Sequence, residues 1–316
     1  MSYWKGKKIL LAGGAGFLGS HVVENLVGKR GVLRSQIAIP RSRDSDLRRW
    51  EVCRNVAQGA DIIINLAGRV GGIGFNQKYP GILFYDNIMV GAQLMEAARL
   101  EKVDKFVQVG TVCSYPKYTP APFKEADLWN GYPEETNAPY GIAKKSLLVM
   151  AQAYRKQYGM NIIFLVPVNL YGSKDNFDLE SSHVIPALIR KFTEAVESGK
   201  KEVVVWGTGK ASREFLFVED AAEGIIVATE RYDKPDPVNL GTGKEIKINE
   251  LVSLIAKLTG FSGQIVWEAS KPDGQPKRCL DTSRAKKEFA FEAKTDLIDG
   301  LQKTIEWYKN EFIKKP

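Results

Sequence analysis

The chain predicts an α/β fold: a doubly wound parallel sheet with helices on both faces, followed by a smaller α/β C-terminal domain that would hold a substrate. Three observations predict it. Apolar runs of strand length alternate with helical patterns through the first 170 residues. A glycine-rich turn, Gly13-Gly-Ala-Gly-Phe-Leu-Gly19, follows the first apolar run. After Tyr171-Gly172 the alternation loosens.

Lys7-Lys8-Ile-Leu-Leu-Ala12 reads as a buried strand, and beyond the glycine turn a helix is predicted over 17–29. Apolar runs predict further strands at 36–39, 61–66, 105–109 and 161–166, separated by helical patterns over about 82–101 and 138–158. Residues 1–170 are thus expected to form the nucleotide-binding domain. Residues 171–316 form the second domain, with helices near 183–198, 219–231, 248–259 and 297–312 and strands near 203–206, 236–240 and 264–267. Some segments are allowed to interchange between the two. No internal repeat or low-complexity tract is visible.

The chain has 316 residues, 44% of them hydrophobic and 26% charged, which is ordinary globular composition. Its apolar stretches are too short to span a bilayer, and Met1-Ser-Tyr-Trp-Lys-Gly-Lys-Lys8 lacks the apolar core of a signal peptide. A soluble cytoplasmic protein without a membrane partner is expected. Cys53, Cys113 and Cys279 form no C-x-x-C pair or metal-ligand spacing, so no metal is expected, and an odd count argues against a disulfide framework and for free thiols. The net charge of +8 is dispersed, with no basic run longer than three and no interleaved aromatics. This argues against a nucleic-acid partner, and a nucleotide-sized anion accounts for the charge.

The spacing Gly13-x-x-Gly16-x-x-Gly19 after a strand and at the opening of a helix suits a dinucleotide, whose pyrophosphate would rest on the helix N-terminus. At the end of the second strand, where an acidic residue would select NAD, the chain has Pro40-Arg41-Ser42-Arg43. Arginine forks match a 2′-phosphate, so NADP is the expected cofactor, held there by Arg41 and Arg43.

Tyr140 and Lys144 stand four residues apart in a predicted helix, on one face and about one turn apart. A neighbouring ammonium is expected to lower the phenol's pKa and let Tyr140 exchange a proton with a carbonyl oxygen. Thr111, just past the fourth strand, offers a hydroxyl to the same oxygen.

This ordered set of Gly13, Gly16, Gly19, Thr111, Tyr140 and Lys144 resembles the extended short-chain dehydrogenase/reductase family over nearly the whole chain, and with it a Rossmann-type first domain. The Asp-Glu pair of the family's dehydratases is missing after Thr111, which argues against dehydration. Blocks such as Val70-Gly-Gly-Ile73, Cys113-Ser-Tyr-Pro-Lys117, Ser182-His-Val-Ile-Pro-Ala-Leu188, Val204-Val-Trp-Gly207, Arg213-Glu-Phe-Leu216 and Ser270-Lys-Pro-Asp-Gly274 narrow the resemblance. They are similar to the family's 3,5-epimerase/4-reductases, which convert GDP-4-keto-6-deoxy-D-mannose to GDP-L-fucose with NADPH. Asp175-Asn-Phe177 belongs to the same pattern.

The resemblance implies roles residue by residue. Cys113 and His183 would exchange protons at C3 and C5, both acidified by the C4 ketone, while Thr111 and Tyr140 polarise O4 and Lys144 holds the ribose. For the cofactor it implies Gly13, Ala15, Gly16, Phe17, Leu18 and Gly19 in the turn, and Leu66 and Ala67 after the third strand. It adds Val109 and Gly110 after the fourth strand, Pro167, Val168, Asn169 and Leu170 after the fifth, and Lys144 and His183. For the GDP-linked 4-keto sugar it points to Trp206 and Arg213, to Lys191, Lys271 and Arg278 as charge partners, to Val184 and Leu188 along the base, and to Asn169. Lys191 replaces a second arginine of the family pattern, which keeps the charge and loses the planar fork. Thr111 replaces a more usual serine and keeps the hydroxyl. A homodimer through the helices near 82–101 and 138–158 is also implied.

Two sibling activities share this pattern: epimerisation alone, suggested by Gly71-Gly-Ile-Gly-Phe-Asn76, and epimerisation with reduction of a dideoxy or heptose analogue. A catalytically silent dinucleotide-binding scaffold is the reading from another class, and it needs no set such as Thr111, Cys113, Tyr140, Lys144 and His183.

Overall fold

The computed structural model describes residues 3–313, so the first two residues of the segment read for a leader lie outside the described residues. In chain order the elements are β1 (Ile9–Ala12), α1 (Phe17–Gly28), β2 (Ile37–Ala38), α2 (Trp50–Ala57), β3 (Ile62–Asn65), α3 (Ile73–Lys78), α4 (Pro80–Leu100) and β4 (Lys105–Val109). Then come α5 (Ala138–Tyr158), β5 (Ile162–Pro167), β6 (Asn169–Tyr171), α6 (Val184–Glu197), β7 (Glu202–Trp206), β8 (Ser212–Phe217) and α7 (Val218–Arg231). The chain closes with β9 (Val238–Leu240), β10 (Glu245–Lys247), α8 (Ile248–Thr259), β11 (Gln264–Glu268), α9 (Ser283–Phe289) and α10 (Leu297–Tyr308).

Six strands form one sheet in the order β2-β1-β3-β4-β5-β9, and every pairing is parallel. Along β1, Ile9 and Leu11 enter the core on one face while Leu10 and Ala12 enter the other. Strand residues buried on both faces explain the unbroken apolar runs of the sequence. Val22 and Leu26 of α1 and Ile225 of α7 cover one face, and Cys53 of α2, Leu94 of α4 and Ala151 of α5 cover the other. Parallel register aligns the carboxyl ends, Ala12 beside Asn65 and Asn65 beside Gln108, along one rim. Asn65 donates to Gln108 at 3.0 Å and ties β3 to β4 there.

A second core joins Ile185 and Phe192 of α6, Val205 of β7, Phe217 of β8, Ile255 of α8 and Leu301 of α10. It carries a three-stranded sheet, β10-β8-β6, and a parallel pair, β11-β7. The strand anticipated near 236–240 pairs with β5 in the large sheet, and α7 packs beside α1. The chain therefore returns to the first unit after residue 217.

β6, β8 and β10 escape the sequence reading. In β8 all six residues are buried, yet Arg213 and Glu214 break the apolar run, so local polarity hides a strand whose charges have work inside. The short helices α2, α3 and α9 escape it as well. The last predicted helix ends as an α-helix at Tyr308 and continues as a π-turn over Lys309–Ile313. Among the described residues no helix is long and apolar enough to cross a membrane.

Candidate active site

The carboxyl rim of the large sheet and the second unit enclose one cavity of about 1450 Å³. Its cofactor end begins at the turn after β1. Gly13 takes φ +80, and a Cβ there would stand 2.9 Å from the Ala67 nitrogen, so the turn can press against the β3 loop only with glycine. Gly16 N-caps α1, whose first turn has no acidic residue, leaving its N–H groups and helix dipole toward an anion. Ala15, Phe17, Leu18, Gly19, Leu66, Ala67, Val109, Gly110, Pro167, Val168, Asn169 and Leu170 line the same wall, as do Arg41 and Arg43. Arg43 pairs with exposed Asp44 at 2.8 Å, whereas Arg41 has no ion pair among the described residues. These walls fit a dinucleotide with a further phosphate on its ribose.

Mid-cavity, Thr111 leaves the end of β4 and caps the short turn Val112–Ser114, its Oγ1 accepting from the Cys113 amide at 3.2 Å. That turn packs on α5. A Cβ on Gly141 would meet the Cys113 carbonyl oxygen at 2.3 Å, so only glycine lets the helix come this close. Ser114 Oγ fastens the contact by donating to the Gly141 carbonyl at 3.0 Å. Asn137 precedes α5, Pro139 sits in its first turn and Gly159 ends it in the left-handed region, which sets the helix register and with it the positions of Tyr140 and Lys144.

Tyr140 and Lys144 do share a buried face, but the expected electrostatics do not hold. Burial raises the Tyr140 pKa, the Cys113 sulfur raises it further, and a hydrogen bond with Thr111 offsets only part of this. Lys144 does not lower it. The Lys144 Nζ donates to the Ala67 carbonyl at 3.3 Å, and burial pulls its own pKa down to about 8. The phenol is therefore a loaded proton donor rather than a poised tyrosinate. His183, at the N-cap of α6, reaches the cavity; surrounding protein and then the charge of Arg278 lower its pKa, which makes the neutral imidazole its resting form near neutrality.

At the far end Arg213 and Arg278 are both buried and have no ion pair among the described residues. Arg213 donates to the carbonyls of Ser212 and Asp273, and Arg278 to the side-chain oxygens of Gln275 and Asn169. Burial, and then repulsion by Arg278, pulls the Arg213 pKa down to about 9, still charged at pH 7. Two guanidiniums held by neutral acceptors call for a polyanion. Val184, Leu188 and Lys191 line this end, where Lys191 donates to the Val204 carbonyl at 3.0 Å. Trp206 is half exposed and flanked by Lys191 and Lys271, their Nζ atoms 6.0 and 5.0 Å from its ring, so its ring is not part of the core. Lys271 stands over that ring and does not line the cavity.

Residues 9–241 match the NAD dependent epimerase/dehydratase family. The chain belongs to that family. The match spans the whole cofactor wall, Thr111, Cys113, Tyr140, Lys144, His183, Trp206 and Arg213, and ends before Lys271 and Arg278. Full-length relatives within the family extend further. GDP-L-fucose synthase 1 of Arabidopsis thaliana is 38% identical over 309 residues, covering 96% of this chain and 94% of that one. GDP-L-fucose synthase of Escherichia coli (strain K12) is 39% identical over 257 residues, covering 78% and 80%. Among solved structures, a GDP-6-OMe-4-keto-L-xylo-heptose reductase from C. jejuni superposes with a TM-score of 0.89 at 31% identity, over 96% of this chain and 98% of that chain. A GDP-L-fucose synthetase from Naegleria fowleri bound to NADP gives 0.86 at 25% identity, over 100% and 98%.

The cavity also holds residues to which the sequence patterns assign no role. Gln275 accepts from Arg278 and donates to the carbonyls of Pro116 and Lys117, orienting the guanidinium. Asp175 lines the cavity with one oxygen unpartnered, and burial raises its pKa to about 7. Asn76 and Asn137 line it too. Asn76, Asp175 and Gln275 lie in or beside matched blocks and Asn137 stands just before Tyr140, but side-chain type alone does not mark them as functional.

Proposed function

We propose that this chain catalyses the NADPH-dependent 3,5-epimerisation and 4-reduction of GDP-4-keto-6-deoxy-D-mannose to GDP-L-fucose. One observation carries the reading: a loaded phenol, a free thiol and a neutral imidazole share a single cavity with two arginines that lack carboxylates.

The diphosphate would lie on Arg213 and Arg278 and the base against Trp206, Val184 and Leu188, which presents the sugar to Tyr140. Thr111 and Tyr140 hydrogen-bond O4 and stabilise the enolate that forms when a proton leaves C3 or C5. Cys113 and His183 remove and return those protons, one on each side of the ring, so that a carbon loses a proton from one face and regains it on the other. NADPH, when bound along the glycine turn with its 2′-phosphate at Arg41 and Arg43, supplies the hydride for C4. Tyr140 protonates O4, and Lys144 holds the ribose and helps reload the phenol.

The reading includes a homodimer through α4 and α5, supported by the exposed side chains of Ile82, Phe84 and Tyr85 on α4 and Val149 on α5. It also places the reaction in the cytoplasm, since a chemistry that needs Cys113 as a free thiol and reduced NADPH suits a reducing compartment. A heptose analogue is the second reading, favoured by the likeness to the keto-heptose reductase. NADPH oxidation measured against a panel of GDP- and dTDP-linked 4-keto sugars separates the two: the 6-deoxy-mannose substrate should give the highest kcat/KM. A higher value for a heptose would move the assignment, and no oxidation with any member would end it.

A further inference from the structure

We propose that Gln275 is a positioning residue for the nucleotide diphosphate: its amide locks the Arg278 side chain to the backbone at Pro116 and Lys117 and leaves one guanidinium nitrogen, Nη2, for the ligand. The proposal rests on the GDP-sugar reading given above and deepens it by naming what holds the anion site ready.

Gln275 is 1% exposed, so its amide takes its partners from the protein. Nε2 donates to the Pro116 carbonyl at 3.0 Å and to the Lys117 carbonyl at 3.1 Å, and Oε1 accepts from Arg278 Nε at 3.1 Å. Carbonyls only accept and a guanidinium only donates, so one orientation of the amide satisfies all three contacts. Arg278 is held from a second side, where Nη1 donates to Asn169 Oδ1 at 3.0 Å, and Asn169 Nδ2 is itself fixed on the Glu214 carbonyl at 2.8 Å. With Nε and Nη1 taken, Nη2 has no protein partner among the described residues, and it is not enclosed.

Both holders are neutral amides. A carboxylate at either place would pair with the guanidinium and compete with an anionic ligand, whereas an amide oxygen fixes its direction and leaves its charge for the diphosphate. A long, flexible side chain is thereby ordered before the ligand arrives.

The backbone around this bridge is tied independently of Gln275. The Ser212 amide donates to the Pro276 carbonyl at 3.0 Å and the Glu214 amide to the Arg278 carbonyl at 2.9 Å, while the Pro116 carbonyl also accepts from the Thr119 hydroxyl at 2.9 Å. Removing the amide therefore frees the Arg278 side chain and leaves the path of the chain in place.

A double-mutant cycle tests this, with calorimetric Kd values for GDP and for NADPH in wild type, Gln275→Met, Arg278→Met and the double variant. Gln275→Met should weaken GDP binding by roughly 10-fold and leave NADPH within about twofold. In the Arg278→Met background the same substitution should change the GDP Kd by less than about twofold, because a residue that works through Arg278 then has nothing to position. Gln275→Asn keeps the amide but is one methylene too short to span the bridge, so it should weaken GDP as Gln275→Met does, and it carries the test if the Met variant fails to fold. Three results would each overturn the proposal while leaving the GDP-sugar reading standing: GDP affinity within about twofold of wild type in the Gln275 variants, an equal loss for NADPH, or a roughly 10-fold loss that persists without Arg278. A wild type that binds NADPH but no GDP would overturn both together.

Discussion

Arg213 and Arg278 face one cavity, both buried and neither in an ion pair among the described residues, and burial, then the charge of Arg278, lowers the Arg213 pKa to about 9. Like charges are held together here by carbonyl and amide oxygens. Such an arrangement costs stability in the free protein and is relieved by an anionic ligand.

Arg213→Gln should therefore act in two directions. It should raise KM for the GDP-sugar by roughly 10- to 100-fold and leave the affinity for NADPH within about twofold. It should also leave the free protein as stable as wild type or more so, since a buried unpaired charge is gone. Steady-state kinetics, cofactor titration and thermal melting check the three parts.

Tyr140→Phe removes the loaded donor. Reduction should fall by roughly 10²- to 10³-fold, as expected for loss of a positioned general acid that also polarises the carbonyl. Single-turnover NADPH oxidation reads the step. A loss below about threefold would mean that another group protonates O4.

Cys113→Ser should separate the two activities. Inversion should be lost while some ketone reduction persists, because Cys113 acts at carbon and Tyr140 at oxygen. Equal loss of both with folding intact would make the thiol a structural partner of the Thr111 turn and nothing more.

Lys144 carries a stability signature. Its pKa in the fold, about 8, lies below the usual 10.5, so the folded state disfavours the bound proton. Between those values the unfolded chain binds more protons, and this group's contribution to stability rises with pH through that window. At pH 7 the penalty is fully present. Lys144→Met should accordingly raise stability at pH 7 by about 1–3 kcal/mol, a gain that fades toward pH 10.5. Denaturant titration at both pH values checks it, and the variant should lose reductase activity.

Much of the site is legible in the sequence because glycine spacing, Tyr140-x-x-x-Lys144 and the matched blocks are local patterns whose geometry follows from helix and turn. α5 runs over the predicted residues because Pro139 and Gly159 punctuate it. Other features are products of the tertiary fold. The burial that outweighs any effect of Lys144 on Tyr140 depends on packing against the turn at Thr111 and Cys113, and the return of β9 to the large sheet depends on pairing with β5. Arg213 and Glu214 concealed a strand because charges buried by long-range contacts resemble a solvated loop when read locally.

The central claim is that one ketone serves enolisation and reduction in the same cavity. Turnover of GDP-4-keto-6-deoxy-D-mannose with NADPH in D₂O tests it most directly, with the product read by NMR and mass spectrometry. Deuterium at both C3 and C5, with one NADPH consumed per product, is the predicted result. NADPH consumption without solvent label at either carbon would contradict the account and leave a simple ketone reductase.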